Sequence, residues 1–302
     1  MTAVRSRKPS LRVERAFQRD GHRVLAGMDE VGRGALAGPV SVGVVIIDET
    51  CRSAPTGVKD SKLLTPAARQ RMIRPIKRWA HAHAVGHASP TEIDEFGIMG
   101  GLRMAGTRAL AAIAAVGIVP DLVILDGNHD WLTPPGELGL FAFAEEYGRA
   151  GVTTPPVTTM IKADLRCSSV AAASVLAKVE RDAMMVVLSG DHPAYGWAVN
   201  KGYAAPEHLE ALRRHGPSVH HRLSWRLPSV QVVEQGHSLP GMAPQGPGGL
   251  PVGLPDEPEG PPELVGANRG PIRVETTDTT DWTGRCDGPE QPMSTARTMS
   301  RR

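Results

Sequence analysis

The stretch Gly27-Met28-Asp29-Glu30-Val31-Gly32-Arg33-Gly34 decides how the rest of the chain is read. Two adjacent carboxylates lead into a glycine–arginine–glycine turn, and the long apolar run Val40 to Ile47 follows. A carboxylate beside a buried strand is costly unless a cation or hydrogen bonds compensate it. Glycines flanking an arginine let the backbone approach a ligand closely. Together these features point to a metal site next to a phosphate-bearing polymer. A β-strand ending in a charged hairpin is the competing reading, and motifs further along decide between them.

Outward from that stretch, Val24 to Gly34 and Leu36 to Ile47 read as consecutive strands. Thr65-Pro66 opens a helix that Pro75 should kink or end. Trp79 to Ala88 alternates His81, His83 and His87 with small residues, as a third strand whose histidines face solvent. Ser89-Pro90-Thr91-Glu92 is a capping box, and its helix breaks near Gly97 to Gly101 before continuing to Val116. Asp121 to Gly127 is a short buried strand ending in the carboxylate of Asp126. Asn128 to Pro156 reads as a surface excursion with a short helix over Phe141 to Tyr147. Val157 to Ile161 returns as a strand and leads to Lys162-Ala163-Asp164. Ser168 to Lys178 is a helix whose small residues permit close packing on a sheet, and a last helix spans Pro206 to His215. Sheets with helical crossovers present ligands at such strand ends.

At 302 residues and 41% hydrophobic composition, the chain can bury a real core. Its three scattered cysteines argue against a disulfide framework and a Cys-type zinc site, and fit a reducing cytoplasm. No secretory signal opens the chain and no apolar run reaches the length of a membrane span, so a soluble cytoplasmic protein is expected. Residues 1–20 read as a flexible basic lead-in, 21–228 as the folded body, and 229–302 as a disordered Pro/Gly-rich acidic tail. The tail holds 6 Arg, no Lys and 10 acidic residues, a net of −4, which leaves +6 on the first 228 residues. A moderately basic body suits a polyanionic partner.

Four carboxylates stand at element ends: Asp29, Glu30, Asp126 and Asp164. Hard oxygen ligands from three separate segments suit Mg²⁺ or Mn²⁺ and not zinc. Their combined charge is tolerable with about two divalent ions or a strongly basic setting. Two such ions would activate water against a phosphodiester and stabilise the leaving 3′-oxygen. Neighbouring strand residues point to opposite faces, so Asp29 and Glu30 converge only at a strand end or bulge, or if one contributes its backbone carbonyl.

These residues resemble bacterial ribonuclease HII. The resemblance rests on Asp29-Glu30-Val31-Gly32-Arg33-Gly34, Asp60-Ser61-Lys62, Leu125-Asp126-Gly127, Lys162-Ala163-Asp164, Ala171 to Lys178 with Arg181-Asp182, and Lys201-Gly202-Tyr203. They occur in the family's order across roughly residues 22–228, and Gly216 to Arg222 is similar to its C-terminal signature. The resemblance implies an α/β ribonuclease H-like fold: a central mixed β-sheet flanked by helices, with a small C-terminal helical part. It implies cleavage of RNA in RNA–DNA hybrids and incision beside single ribonucleotides in duplex DNA. By analogy Asp29, Glu30, Asp126 and Asp164 bind two Mn²⁺ or Mg²⁺ ions. The backbone of Gly32-Arg33-Gly34 would read the 2′-hydroxyl that separates RNA from DNA, and Tyr203 would pack on the next deoxyribose. Arg33, Lys62 and Lys201 would contact phosphates, which position a duplex without reading its sequence. A monomer is expected, with a sliding clamp or other replication partner, although no docking peptide stands out.

The sequence departs from the family at Ala163, where glycine is usual, and at Ala205, where threonine is expected. Gly136 to Gly151 looks like an insertion. His129, His215, His220 and His221 read as duplex contacts or surface groups, because two-metal chemistry needs no protein base. Three other readings compete. The type-three ribonuclease H typically carries an N-terminal substrate-binding domain, for which about 20 residues leave no room. A non-catalytic duplex binder would be weakened by four bare carboxylates. A metal-dependent sugar or nucleotide hydrolase would leave the Gly-Arg-Gly turn and Tyr203 unexplained.

Overall fold

Five strands form one mixed sheet in the spatial order β3-β2-β1-β4-β5. The structure is a computed structural model, and it describes residues 8–134 and 154–228. Strands β1 (Leu25–Val31), β2 (Val40–Ile47) and β3 (Ala82–Ala88) make an antiparallel meander, with Leu25 opposite Ile47 and Val40 opposite Ala88. Strands β4 (Leu122–Asp126) and β5 (Val157–Met160) add on parallel to β1. Three parallel strands therefore end on the same side of the sheet, and β1 and β4 end there in carboxylates.

Helices cover both faces, as the resemblance implied. Helix α3 (Pro90–Ala114) packs on one face, where Ala26, Met28, Val42, Val44, Leu102, Ala105, Leu110, Val123 and Leu125 share a core. Its start is the expected capping box, and it breaks at Gly97, the expected place. Helix α2 (Pro66–Trp79) and helix α4 (Ser168–Asp191) pack on the other face around Leu25, Val45, Ile47, Ile76 and Val175. The small residues of α4 explain its closeness to the sheet: a β-carbon at Gly43 would sit 2.3 Å from the Ala173 carbonyl oxygen. Proline does not end α2, which runs through Pro75 to Trp79. A proline inside a helix costs roughly 3 kcal/mol, and burial of the adjacent Ile76 holds the segment in place. The C-terminal part, α5 (Trp197–Asn200) and α6 (Pro206–His215), closes a separate cluster of Ala37, Met185, Tyr195, Trp197 and Leu212.

Two further sequence expectations change. The lead-in 1–20 is not flexible throughout, because Arg12–Arg19 forms a helix, α1, on the back of the sheet. Arg15 donates to the carbonyls of Asp48 and Glu49, and the buried Glu14 accepts from the Ser169 amide at 3.0 Å and the Ser169 hydroxyl at 2.9 Å. Glu14 thereby caps α4, whose own N-cap residue Cys167 makes no side-chain cap bond. The strand expected over Leu36 to Ile47 begins only at Val40, since Gly32 to Pro39 form a loop. The insertion Gly136 to Gly151, the short helix over Phe141 to Tyr147 and the tail 229–302 lie outside the described residues. No helix among the described residues is long and apolar enough to cross a membrane.

Candidate active site

Pairing of β1 with β4 ends at Met28 opposite Leu125, so Asp29 and Asp126 follow side by side at the ends of their strands. Asp126 accepts the Ala163 amide at 2.6 Å and the Asp164 amide at 3.4 Å, which ties the end of β4 to the turn carrying Asp164. That turn is a short 3₁₀ segment, Ala163–Leu165, and its entry residue Lys162 takes the left-handed conformation at φ 58°. Ala163 is buried and is not among the residues of positive φ, so alanine fits where the family usually has glycine. Asp29, Asp126 and Asp164 thus meet through backbone geometry.

Electrostatics bind the group together. Burial raises the Asp29 carboxyl well above its usual range, opposed by a hydrogen bond from Ser174, and Asp126, Glu30 and Asp164 push it further up. Burial also raises Asp164, to about 6, with Asp126 and the neighbouring Asp60 adding to the rise and Lys62 opposing it. For Glu30 burial again raises the pKa, Asp126 adds to it, and Arg33 and Lys62 pull it down. Burial pulls the Lys62 ammonium down, but Asp29, Asp60, Asp164 and Asp126 outweigh that and hold it above its ordinary value. Lys62 is therefore the cation this chain itself places among the carboxylates. Its backbone amide is fixed by Asp60 at 2.9 Å.

Glu30 stands apart in one respect. Odd-numbered β1 residues face α4, as Leu25 and Gly27 show by their contacts, while Ala26 and Met28 face α3. Glu30 follows the second set and pairs with Arg33 at 3.5 Å. Among the described residues, no three carboxylate, imidazole or thiol groups are gathered closely enough to enclose one ion by themselves. The donors are nonetheless all hard oxygens with only Lys62 and Arg33 to offset them, which fits divalent Mg²⁺ or Mn²⁺.

The Gly32-Arg33-Gly34 loop is held from behind by two fully buried arginines that sequence reading quoted without a role. Arg222 donates to the carbonyls of Gly32 (2.6 Å), Arg33 (2.9 Å) and Gly38 (3.1 Å). Arg181 donates to those of Pro39 (2.8 Å), Ala37 (3.1 Å) and Lys201 (3.0 Å). Burying a guanidinium is tolerable only when its donors are satisfied, and here backbone carbonyls do it. The Arg33 and Gly34 amides donate to no acceptor among the described residues, whereas Ala35, Leu36, Ala37 and Gly38 amides all do. Gly202 accepts from Leu36 and Ala37, so the Lys201-Gly202-Tyr203 segment is locked against the same loop.

Tyr203 is half-buried, with Arg181 5.5 Å and Lys178 5.8 Å from its ring centre. Its carbonyl bonds to His208 Nδ1 at 2.8 Å, and His208 Nε2 lies 3.0 Å from His221 Nε2. Neither buried histidine reaches the carboxylates. Burial pushes His221 down to about 4, and His208 beside it adds to the shift. Other histidines also sit away from the carboxylates: His87 meets Ser41 and Glu180, His81 meets Asp48, and His129 is exposed.

Residues 26–227 match the model of a family described as Ribonuclease HII. Ribonuclease HII of Streptomyces coelicolor is 45% identical over 218 residues, covering 72% of this chain and 83% of the relative. That of Nitrosococcus oceani is 43% identical over 206 residues, covering 68% and 90%. Among solved structures, ribonuclease HII of Archaeoglobus fulgidus, in complex with PCNA, aligns with a TM-score of 0.50 at 26% identity. That alignment covers 69% of this chain and 98% of the other. Fold and likeness together define a ribonuclease H-type hydrolase, a metal-dependent endoribonuclease. Within that class the chain belongs to the ribonuclease HII family, the type 2 ribonucleases H.

Proposed function

We propose that this chain incises duplex DNA on the 5′ side of a single embedded ribonucleotide, and cuts RNA in RNA–DNA hybrids, at the site built by Asp29, Glu30, Asp126 and Asp164. The observation that carries the reading is the electrostatic influence of Asp126, Glu30 and Asp164 on the buried Asp29, beside a loop whose carbonyls are taken by Arg181 and Arg222. Arginine capture of the carbonyls leaves the Arg33 and Gly34 amides to meet a ribose 2′-hydroxyl, and Tyr203 offers its ring to the next sugar. Arg33, Lys62 and Lys201 contact phosphates.

Two divalent ions, Mn²⁺ or Mg²⁺, held by the four carboxylates would supply water activation and stabilisation of the 3′-oxygen. Asp126 already holds the Ala163 and Asp164 amides, and both Asp126 and Asp164 act on Asp29. Glu30 joins them by leaving Arg33 or by offering its backbone carbonyl, which resolves the alternation of neighbouring strand residues. Lys62 offsets part of the carboxylate charge and steadies the group before substrate arrives. A sliding-clamp partner for a monomeric enzyme is supported by the complex of the A. fulgidus relative with PCNA.

End-labelled duplex DNA containing one ribonucleotide tests the reading directly. Wild type with Mg²⁺ or Mn²⁺ should cut 5′ of the ribonucleotide, and EDTA or Asp126→Asn should lower the rate by at least a hundredfold. Cleavage of long hybrids alone would replace the single-ribonucleotide reading with a hybrid-only one.

A further inference from the structure

Behind Tyr203 lie Arg69 and Lys178, which have no part in the chemistry so far, beside Lys201, to which only a general phosphate contact was given. Helix α4 carries Ser174, Lys178 and Asp182 at four-residue spacing, which stacks them along one face. The Ser174 hydroxyl is shared between Asp29 and the Ser61 hydroxyl, the latter at 2.9 Å. Arg69 of α2 donates to the Ser61 carbonyl at 3.0 Å and reaches Asp182 at 3.9 Å. Lys178 donates to the other Asp182 oxygen at 2.8 Å and lies 5.8 Å from the Tyr203 ring centre. A continuous chain of contacts therefore runs from a site carboxylate to Tyr203. Lys201 adds a third cation: burial lowers its pKa, Asp182 opposes, and Lys178 and Arg69 lower it further.

One carboxylate balances one cation, yet Arg69 and Lys178 both pair with Asp182, and Lys201 stands in the segment that carries Tyr203. The side chains of Arg69, Lys178 and Asp182 are only 12%, 18% and 17% exposed, so solvent screens their mutual repulsion poorly. A purely structural ion pair would need a single cation. Surplus positive charge with fork and point donors is the chemistry that holds a phosphate.

We propose that Arg69, Lys178 and Lys201 form a binding site for one backbone phosphate on the 3′ side of the scissile bond, with Asp182 holding the cations in order until that phosphate arrives. The proposal rests on the function proposed above. Asp182 also repels the phosphate it makes room for, which weakens binding and speeds release of nicked product.

The test pairs variants with a modified substrate. On single-ribonucleotide duplex, Arg69→Ala and Lys178→Ala should each raise KM about tenfold with kcat within about twofold. Each should reduce the salt dependence of duplex binding by about one charge. Arg69→Lys, which keeps a charge near Asp182, should recover part of the affinity. Asp182→Asn should bind duplex at least threefold tighter. A neutral methylphosphonate placed singly at each of the three linkages 3′ of the scissile bond should weaken wild-type binding about tenfold at one of them. Arg69→Ala and Lys178→Ala should lose nothing more there. Equal losses for wild type and variants at every linkage, or unchanged affinity in Asp182→Asn, would overturn the phosphate site. Absence of wild-type incision at the unmodified ribonucleotide would instead overturn the proposed function itself.

Discussion

A β-carbon added at Gly32 would lie 2.1 Å from Arg181 Nε, on a backbone at φ +84°, while one at Gly34 would meet nothing within 4 Å. The fold therefore requires glycine at the first position and not at the second. Gly32→Ala should cost about 1–3 kcal/mol from backbone strain, plus displacement of Arg181. Gly34→Ala should leave stability within about 0.5 kcal/mol yet reduce incision at a ribonucleotide tenfold or more, because the new methyl fills space meant for a ligand. Thermal melts beside cleavage assays check both. A Gly34→Ala enzyme that melts and cuts like wild type would remove the loop from substrate recognition. At this scale the acids were readable because each closes an apolar run or opens a turn. Arg222 was not, since its acceptors Gly32 and Arg33 lie 190 and 189 residues away in sequence.

Among the elements, α6 shows a departure from the family in physical terms. Ala205 is its N-cap, in an extended conformation that threonine also adopts, and it makes no side-chain cap bond. Ala205→Thr should restore that bond and stabilise the protein by about 1 kcal/mol, seen as a rise in melting temperature of roughly 2–4 °C, with incision unchanged. No rise would mean that α6 already satisfies its first amides by other means. Helix α3 was legible from its capping box and first proline, and α6 from its first proline, which are local signals. Helix α1 was not. Its buried residues are the polar Glu14 and Gln18, and Glu14 is held by a partner 155 residues away, while the apolar Val13 and Phe17 are only partly buried, so hydrophobic periodicity carries little of its docking. The extent of α2 was also misjudged, because the burial of Ile76 overrides the local cost of Pro75.

Across the molecule, the carboxylates tie stability to pH and to divalent cations. The folded-state pKa values of Asp29, Glu30 and Asp164 lie above the usual carboxylate range. Their contribution is thus full when they are protonated and is lost as pH rises, for Asp164 through about 6. In EDTA, Asp164→Asn should therefore gain stability over wild type as pH increases from 5 to 8. Comparison with the variant is needed because His208 and His221, whose pKa values are lowered, act with the opposite sign below about 6.5. Mn²⁺ or Mg²⁺ at pH 8 should raise the wild-type melting temperature, by about 2.7 kcal/mol of stability at a hundredfold excess over Kd, and should raise Asp164→Asn less. Equal pH profiles for the two proteins would show that Asp164 ionises without penalty.

The contact between Glu14 and Ser169 spans 155 residues. On the ribosome, at roughly 5–20 residues per second, helix α1 is made about 8–30 seconds before the amide that its carboxylate caps. During that interval Glu14 stays solvated and charged, and α1 has only earlier-made partners, such as the Asp48 and Glu49 carbonyls that Arg15 reaches. Helix α1 thus completes its docking late, although it is made early. A nascent chain halted before Ser169 leaves α1 accessible to proteases, whereas one released beyond it does not.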